Sequence, residues 1–325
     1  MRTGKELLLA SKQFAIENRL RSWLEVLATL MLAGFAFTAT LMTSLPLIFR
    51  VICSLGCGLL YVRLFVIYHD YQHRAILQRS PLARILMDLI GIFLLAPKTI
   101  WIRSHEHHHN NNSKLTVAGI GSYPTISKTY FLSLSKKNKR IYLINRHPLT
   151  IIFGYFTLFI YWLNMKSFAQ SPSRHADSLV ALVFHFAAAF AVWYFFGAGT
   201  FLLSWFIPFF LAFGMGSYLF YCQHNFPAAQ FRENHDWNYV NAALSSTSFM
   251  VMDPVMQWFT GNIGYHHVHH INSRIPFYRL REAKDSMPEL KDVATTSWNP
   301  LEMIRCFKLK LWDPDLGKMI TLHQL

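Results

Sequence analysis

Residues 178–231 read SLVALVFHFAAAFAVWYFFGAGTFLLSWFIPFFLAFGMGSYLFYCQHNFPAAQF, and this stretch contains no Asp, Glu, Lys or Arg. A helix that crosses a lipid bilayer needs about 20 mostly apolar residues, so the stretch is long enough for two crossings. Gly197 and Gly199 stand near its middle and indicate a turn. We therefore predict spanning helices near residues 178–196 and 200–221.

A second apolar tract lies nearer the N-terminus. Residues 26–49 also lack the four charged residue types, and the apolar run continues through Val51–Tyr68 with Arg63 as its one charge. Pro46 indicates a turn, so we predict a helical hairpin with spans near 24–43 and 47–68. Arg50 and Arg63 are expected near opposite ends of the second span, with their side chains extended to the interfaces.

Two shorter apolar runs cover residues 84–97 and 148–164. The first contains Arg84 and Asp88, and the second has roughly 17 residues, which is the lower limit for a crossing. Both runs favour interfacial or re-entrant helices.

The composition agrees with a membrane protein that has sizeable water-facing parts. Of 325 residues, 53% are hydrophobic and 15% are charged, whereas soluble domains have roughly 25% charged residues. The formal net charge is +14, but the basic residues flank apolar spans and form no separate basic domain. Nucleic acid is therefore not expected as a partner.

From the cysteines and the N-terminal segment we expect a reducing compartment and no cleaved leader. Cys53, Cys57, Cys222 and Cys306 form no CxxC motif, which indicates packing residues and not disulfides or a zinc site. The N-terminal segment lacks the apolar region and the cleavage site of a signal peptide.

Three short histidine clusters carry the chemistry. The first cluster has the spacing HxxxH, and the second and third have HxxHH; their members are His69 and His73, then His105, His108 and His109, then His266, His269 and His270. Residues three and four apart share a helix face, so each cluster can direct its imidazoles to one place. Eight imidazoles exceed the four ligands of a tetrahedral zinc site and suit two metal ions.

Topology decides whether the clusters can meet. If residues 148–164 do not cross the bilayer, two crossings separate the second cluster from the third, and all three clusters lie on one side. His224 follows the last span at the same level and is a candidate ninth ligand. The positive-inside rule makes this side the cytoplasm, since it carries Arg19, Arg21, Lys136, Lys137, Lys139, Arg140, Arg146, Arg274, Arg279, Arg281 and Lys284.

The expected fold is therefore an all-α integral membrane protein in a single domain, 1–325. It has four transmembrane helices in two hairpins, interfacial helices, and cytoplasmic segments 69–177 and 222–325. The part from about residue 232 is charged and contains prolines, and we expect it to form a cytoplasmic cap of helices.

Imidazole ligands suit Zn, Cu, Fe and Ni. Zinc has no redox chemistry and needs an electrophile, which a hydrocarbon does not offer. A site at the end of apolar helices is accessible to acyl chains and to O2, so oxygen-activating non-haem iron fits better, and two irons could share the electrons.

The pattern closely resembles the membrane-bound fatty acid desaturases, which have HDxxH at the end of a span, HxxHH, a late QHxF and a final HxxHH. The stretch 258–276, WFTGNIGYHHVHHINSRIP, is especially similar to the omega-6/delta-12-like branch, whose members introduce later, methyl-directed double bonds in bacterial and plastid lipids. The resemblance covers roughly residues 25–290.

The resemblance implies a di-iron centre that removes two hydrogens from an acyl chain, reduces O2 to water and takes two electrons from an external carrier such as ferredoxin. It implies a fatty acyl substrate on a lipid, CoA or acyl carrier protein, in a bacterial inner membrane with the site facing the cytoplasm. The implied iron ligands are His69, His73, His105, His108, His109, His224, His266, His269 and His270.

The chain departs from the family pattern in places. Glu106 stands where the family often has Asn, and Pro227 where an acidic residue often follows QHxF. His107 and His267 are additional histidines, for which we expect supporting or solvent roles because the helix face is already filled. Asp70 either orients a ligand imidazole or faces water.

Two other functions remain open at this point. A di-iron hydroxylase of alkyl, sterol or carotenoid substrates would have the same histidine spacing. A divalent-metal transporter would need polar ligands near the bilayer midplane, where these spans carry almost no ionisable residues except His185.

Overall fold

The computed structural model describes residues 2, 4–115 and 123–325, and these are mainly helical. Helix α1 (Gly4–Ser11) precedes α2 (Arg19–Leu41), which packs along α3 (Leu47–Gln72). The Asn18 side chain caps α2 by accepting a hydrogen bond from the Arg21 N–H at 3.0 Å. The predicted first hairpin is therefore present, and α3 continues past Tyr68 so that His69 lies in its last turn.

The middle of the chain is a series of shorter helices. Helix α4 (Pro81–Phe93) meets α5 (Lys98–Asn111) at 87°. The following helices are α6 (Lys128–Ser133), α7 (Lys136–Asn145), α8 (Pro148–Ile152), the π-helix Tyr155–Lys166 and α9 (Ser167–Gln170). None of the last three is long enough to cross a bilayer by itself.

The charge-free tract forms one long helical stretch that folds back on itself. It comprises α10 (Ala176–Phe201), a π-helical turn (Leu202–Phe206) and α11 (Ile207–Cys222). In a continuous helix His185 and Phe209 would be about 36 Å apart, yet their ring centres lie 4.8 Å apart. Gly197 makes the reversal with φ 80° and ψ 169°, which favour glycine. The predicted turn is confirmed.

Within the described residues, three helical stretches are long and apolar enough to cross a membrane: Arg19–Leu41, Leu47–Gln72 and Ala176–Cys222. The bent pair α4 and α5 is a fourth candidate. Large apolar side chains such as Phe190, Tyr194 and Phe195 are exposed on α10, as expected for helices that face lipid. These are features of a membrane protein.

Both arginines of α3 differ from the prediction. Arg63 is 2% exposed, and its guanidinium pairs with Glu25 of α2 at 2.5 Å and donates to the Trp258 carbonyl. Arg50 donates to the Thr40 carbonyl at 2.8 Å, near the end of α2. The expected extension to the interfaces is wrong, because carbonyl and carboxylate acceptors within the protein satisfy both groups.

The C-terminal part combines short helices with two small sheets. Its elements are α12 (Tyr239–Ser245), β1 (Phe249–Val251), α13 (Pro254–Phe259), α14 (His266–Ile271), α15 (Leu280–Ser286), β2 (Thr295–Ser297), α16 (Pro300–Lys308), β3 (Leu309–Asp313) and β4 (Lys318–Thr321). Short 3₁₀ turns lie at Lys12–Phe14, Asn234–Asp236, Phe277–Arg279, Pro288–Leu290 and Leu322–Gln324.

A purely helical cap was therefore the wrong expectation. Strand β1 pairs with β2 in parallel, and β3 pairs with β4 in antiparallel fashion. The second pair is closed by a turn in which Asp313 accepts from the Asp315 N–H at 3.0 Å and Gly317 adopts φ 59°. Because this turn favours a hairpin, the segment forms two strands and not the expected helix.

The contact between α8 and α11 leads to a stability prediction. A Cβ placed on Gly154 would lie 2.9 Å from the Phe213 carbonyl oxygen and even closer to the Ser217 side chain. We expect Gly154→Ala to lower the free energy of unfolding by about 1–3 kcal/mol through overpacking, measured as a lower melting temperature of the detergent-solubilised protein.

Gly34→Ala is the matched control, because a Cβ there meets nothing within 4 Å. It should leave the melting temperature unchanged or slightly higher. Equal melting temperatures for Gly154→Ala and the wild type would contradict the close packing of the segment just after α8 on α11.

Candidate metal centre

The nine histidines singled out in the sequence converge in two adjacent groups. The five-histidine group contains His69, His73, His105, His109 and His269, and the four-histidine group contains His108, His224, His266 and His270. Within each group the candidate ligand nitrogens all lie within 4.8 Å of one another. Each group is therefore compact enough to hold one metal ion.

Four elements bring these side chains together. The end of α3 carries the first cluster, α5 the second and α14 the third, while His224 lies two residues after the end of α11. Helices α5 and α14 each contribute to both groups, and the His109 and His270 rings stack with centres 4.3 Å apart. The two groups thus share walls and form one centre.

The spacing of the nitrogens suits metal binding. The Nε2 atoms of His69 and His105 lie 2.8 Å apart, and those of His105 and His109 lie 3.1 Å apart. In the four-histidine group, the Nε2 atoms of His224 and His266 lie 2.9 Å apart. Two nitrogens bound at right angles to one ion at about 2.1 Å would be about 3 Å apart.

Five ligand candidates, His73, His108, His109, His266 and His269, have a buried nitrogen without a hydrogen-bond partner among the described residues, and in His73 and His108 that nitrogen is Nε2. Among the described residues, nothing accepts from or donates to Nε2 of His73 or Nε2 of His108. A buried polar atom without a hydrogen bond costs about 1–3 kcal/mol. A metal ion at each group would satisfy these atoms, and an all-imidazole donor set suits Zn, Cu, Fe or Ni.

Asp70 orients a candidate ligand and does not face water. It is fully buried, and its Oδ1 lies 3.1 Å from Nδ1 of His69 while its Oδ2 accepts from the Phe277 N–H at 2.6 Å. The carboxylate thus favours the proton on Nδ1 of His69 and leaves Nε2 for a metal. It also ties α3 to the segment that follows the third cluster.

His224 is oriented in the same way. Its Nδ1 lies 3.2 Å from the Ser246 carbonyl oxygen, which can only accept, so Nδ1 carries the proton and Nε2 is directed to the group. The position of His224 agrees with the topological argument made from the sequence.

Seven of the 16 histidines lie outside both groups, and three of these are His267, His107 and His185. His267 donates from Nε2 to the Leu290 carbonyl at 3.1 Å, and burial lowers its pKa to about 3. His107 lies beside Asn111, and His185 accepts from the Tyr155 hydroxyl at 2.5 Å. The predicted supporting and packing roles are consistent with these contacts.

Burial keeps the ligand candidates neutral. It lowers the pKa of His224 to about 4. Burial, reinforced by neighbouring histidines, also lowers the pKa of His266, His269 and His270 well below the usual range. Neutral imidazole is the form that binds metal, so the site is ready for ions at neutral pH.

Sequence reasoning did not single out the aromatic wall of the centre. Trp101 is buried and stacks on His105, with ring centres 4.9 Å apart and planes at 15°. Phe65 lies edge-on to Trp101 at 4.9 Å. The four-residue spacing of Trp101 and His105 on one helix is the signal that could have revealed this contact.

Comparisons with known proteins agree with the family resemblance seen in the histidine motifs. The chain matches a family model described as fatty acid desaturase over residues 45–299, a range that includes all nine histidines. It is 28% identical over 323 residues to a protein of Bacillus subtilis (strain 168) named fatty acid desaturase, covering 99% of this chain and 91% of that protein.

Two cyanobacterial proteins are similar over most of this chain. The sn-1 oleoyl-lipid 12-desaturase of Anabaena variabilis is 25% identical, and the match covers 93% of this chain and 87% of that protein. The sn-1 acyl-lipid omega-3 desaturase (ferredoxin) of Synechocystis sp. is 25% identical, and the match covers 71% of this chain and 65% of that protein.

The two groups predict a metal stoichiometry. The purified protein should bind two ions per chain, and His108→Gln should reduce this to one, because the four-histidine group loses a ligand. Inductively coupled plasma mass spectrometry after dialysis measures the ratio. His107→Gln is the adjacent control and should retain two ions; two retained ions in His108→Gln would contradict the grouping.

The lowered pKa values predict acid sensitivity of the metal-free protein. Unfolded histidines titrate near pH 6.5, so the unfolded state takes up protons first. The contribution of each such histidine to the free energy of unfolding is fully present above about pH 6.5. Below that pH the contribution decreases by about 1.4 kcal/mol for each pH unit. For His224 the loss continues down to its pKa of about 4.

We expect the melting temperature of chelator-treated protein to fall between pH 7.5 and 5.5, by a smaller amount in His224→Asn. A melting temperature that stays constant over this range would show that the buried histidines are not held neutral.

Proposed function

Because the chain belongs to the fatty acid desaturase family, we propose that it introduces a double bond into a lipid-bound fatty acyl chain at a di-iron centre held by the nine histidines. The observation that carries this proposal is the convergence of two compact histidine groups at the ends of long apolar helices. A related protein is named for action on an oleoyl lipid, which favours a lipid-bound acyl chain as the substrate.

Two iron ions bound there would supply the redox chemistry of the reaction. Overall, –CH2–CH2– with O2, two electrons and two protons gives –CH=CH– and two molecules of water. The electrons come from an external carrier and the two hydrogens from adjacent carbons of the acyl chain.

The protein's own residues prepare this chemistry. Burial holds His224, His266, His269 and His270 neutral so that they can bind metal. Asp70 holds the orientation of His69. Trp101, Phe65 and Phe220 form an apolar wall next to His105, which excludes water and suits a hydrocarbon chain.

An apolar groove offers an acyl chain a place among the helices. It has a volume of about 500 Å³ and lies between α2, α3, α4 and α10, with Phe37, Tyr61 and Leu64 among its walls. Leu64 is five residues before His69 on α3, a distance of about 7.5 Å along a helix. A chain in this groove is therefore close to the centre.

We further propose four membrane crossings, a single domain, and a cytoplasmic location of the centre in a bacterial inner membrane. The reversal at Gly197 supports two crossings in Ala176–Cys222. The first hairpin places Arg50 at one end of α3 and His69 at the other. The basic residues Arg19 and Arg21, at the start of α2, lie at the histidine end.

A ferredoxin is the electron donor we propose. The name of the Synechocystis relative includes ferredoxin. The net charge of +14 would attract a small acidic carrier to this protein.

Expression in a bacterium that lacks polyunsaturated fatty acids tests the function. We expect new double bonds in the membrane lipids that require O2, measured by gas chromatography and mass spectrometry with double-bond localisation. His266→Ala should abolish them, and His323→Gln, at an exposed position far along the chain, should retain them.

Unchanged lipid unsaturation from an iron-loaded protein supplied with ferredoxin would overturn the proposal. A hydroxylated acyl product in place of an alkene would identify the protein as a hydroxylase instead.

A further inference from the structure

A second cavity lies beside α5 and is separate from the metal centre. Its volume is about 340 Å³, and Ile100, Arg103 and Ser104 form its α5 wall. The opposite wall consists of the π-helix Tyr155–Lys166 and α9. Among the described residues that line it there is none of the nine histidines, but Ser104 directly precedes His105. The cavity therefore adjoins the centre through one helix.

The lining of this cavity is cationic. Arg103 is exposed and Lys166 is half-buried, with its ammonium 3.5 Å from the centre of the Trp162 ring. Within the described part of the chain, no Asp or Glu lines the cavity. The positive charge of these side chains favours an anion there.

A buried arginine adds to this field from behind the wall. The fully buried guanidinium of Arg146 donates to the carbonyls of Tyr123 and Pro124 at 3.1 Å and 2.8 Å, and both of these residues line the cavity.

His175 also lines the cavity and has an unused nitrogen. The Thr99 hydroxyl donates to Asp177 Oδ1 at 2.5 Å, so its oxygen accepts from Nδ1–H of His175 at 2.9 Å. His175 is 1% exposed, and Nε2 has no hydrogen-bond partner in residues 2, 4–115 and 123–325. A bound molecule with a hydroxyl donor would satisfy this acceptor.

The charges around His175 keep its ring neutral. Burial and then Arg103 lower its pKa, Asp177 raises it and Arg174 lowers it, with a net lowering. Nε2 is therefore a hydrogen-bond acceptor at neutral pH.

The cavity lies where lipid headgroups would be found. Trp162 is 39% exposed next to Lys166, and tryptophan and lysine together mark the boundary between membrane and water. His175 directly precedes α10, a candidate spanning helix. Basic pockets beside membrane helices bind anionic headgroups.

We propose that this cavity binds the phosphodiester headgroup of an anionic glycerophospholipid and so holds the lipid whose acyl chain enters the metal centre. Arg103 and Lys166 donate to the phosphate oxygens, and His175 accepts from a headgroup hydroxyl. A trimethylammonium headgroup is disfavoured by the same cations. The part that names the lipid as substrate rests on the proposed function; the binding itself does not.

Native mass spectrometry of the full-length, metal-loaded protein measures this binding with three dioleoyl lipids: phosphatidylglycerol, phosphatidylcholine and diacylglycerol. We expect phosphatidylglycerol to bind at least tenfold more tightly than the other two. Arg103→Gln with Lys166→Gln should weaken its binding at least tenfold. Lys137→Gln, an exposed cation on α7 outside the cavity, should leave binding unchanged.

The melting temperature and metal content confirm that each variant is folded. Equal binding of phosphatidylglycerol and phosphatidylcholine, or undiminished binding by the folded double variant, would overturn the proposal. Displacement of phosphatidylglycerol by an equal concentration of inorganic phosphate would show that the site takes free phosphate and would overturn the lipid assignment.

The two proposals fail separately. Selective lipid binding without new double bonds in the host would remove the desaturase function and leave the headgroup site standing. New double bonds with unselective lipid binding would remove the headgroup site and leave the desaturase function standing.

Discussion

Nine imidazoles gathered in one place, seven buried and two partly buried, form the constraint on which the rest of this structure depends. They come from four segments between His69 and His270, and each group holds nitrogens within 4.8 Å of one another. Such a cluster is tolerable only while the rings are neutral, because buried cations at these distances would repel one another strongly. Burial provides that condition, and metal binding would make use of the lone pairs that it leaves.

The surrounding structure fixes the positions of the four segments relative to one another. Asp70 links the end of α3 to the backbone of Phe277 beyond the third cluster, and Arg63 links α2 and α3 to Trp258 before it. Both groups are buried and hydrogen-bonded, which is the condition under which a buried charge can be kept. They fix the third cluster from both sides, so that α14 has little freedom to move away from α3.

Two sides of helix α5 line two different candidate sites. Its second cluster faces the two histidine groups, and its opposite flank, with Arg103 and Ser104, faces the cavity proposed for a lipid headgroup. The proximity of these faces gives a physical link between headgroup and acyl chain. A lipid anchored by its phosphate would present its chain to the centre at a reproducible depth, and the length of chain between the two sites would then influence where the double bond is placed.

Much of the site was accessible from the sequence because histidine spacing and charge-free runs are local features. The three clusters, His224 and the turn at Gly197 all follow from one-dimensional patterns combined with bilayer thickness. The roles of Arg63, Asp70 and His175 do not, since each depends on a partner far along the chain or on burial, which residue type alone does not specify. The strand pairs of the C-terminal part also depend on distant partners, as Phe249 pairs with Thr295. The sequence by itself determined which histidines are candidate ligands and which helices can enter a membrane. Only the tertiary structure decided how these histidines divide into two groups and which polar side chains hold them, because those relations are distances between segments that local propensity does not encode.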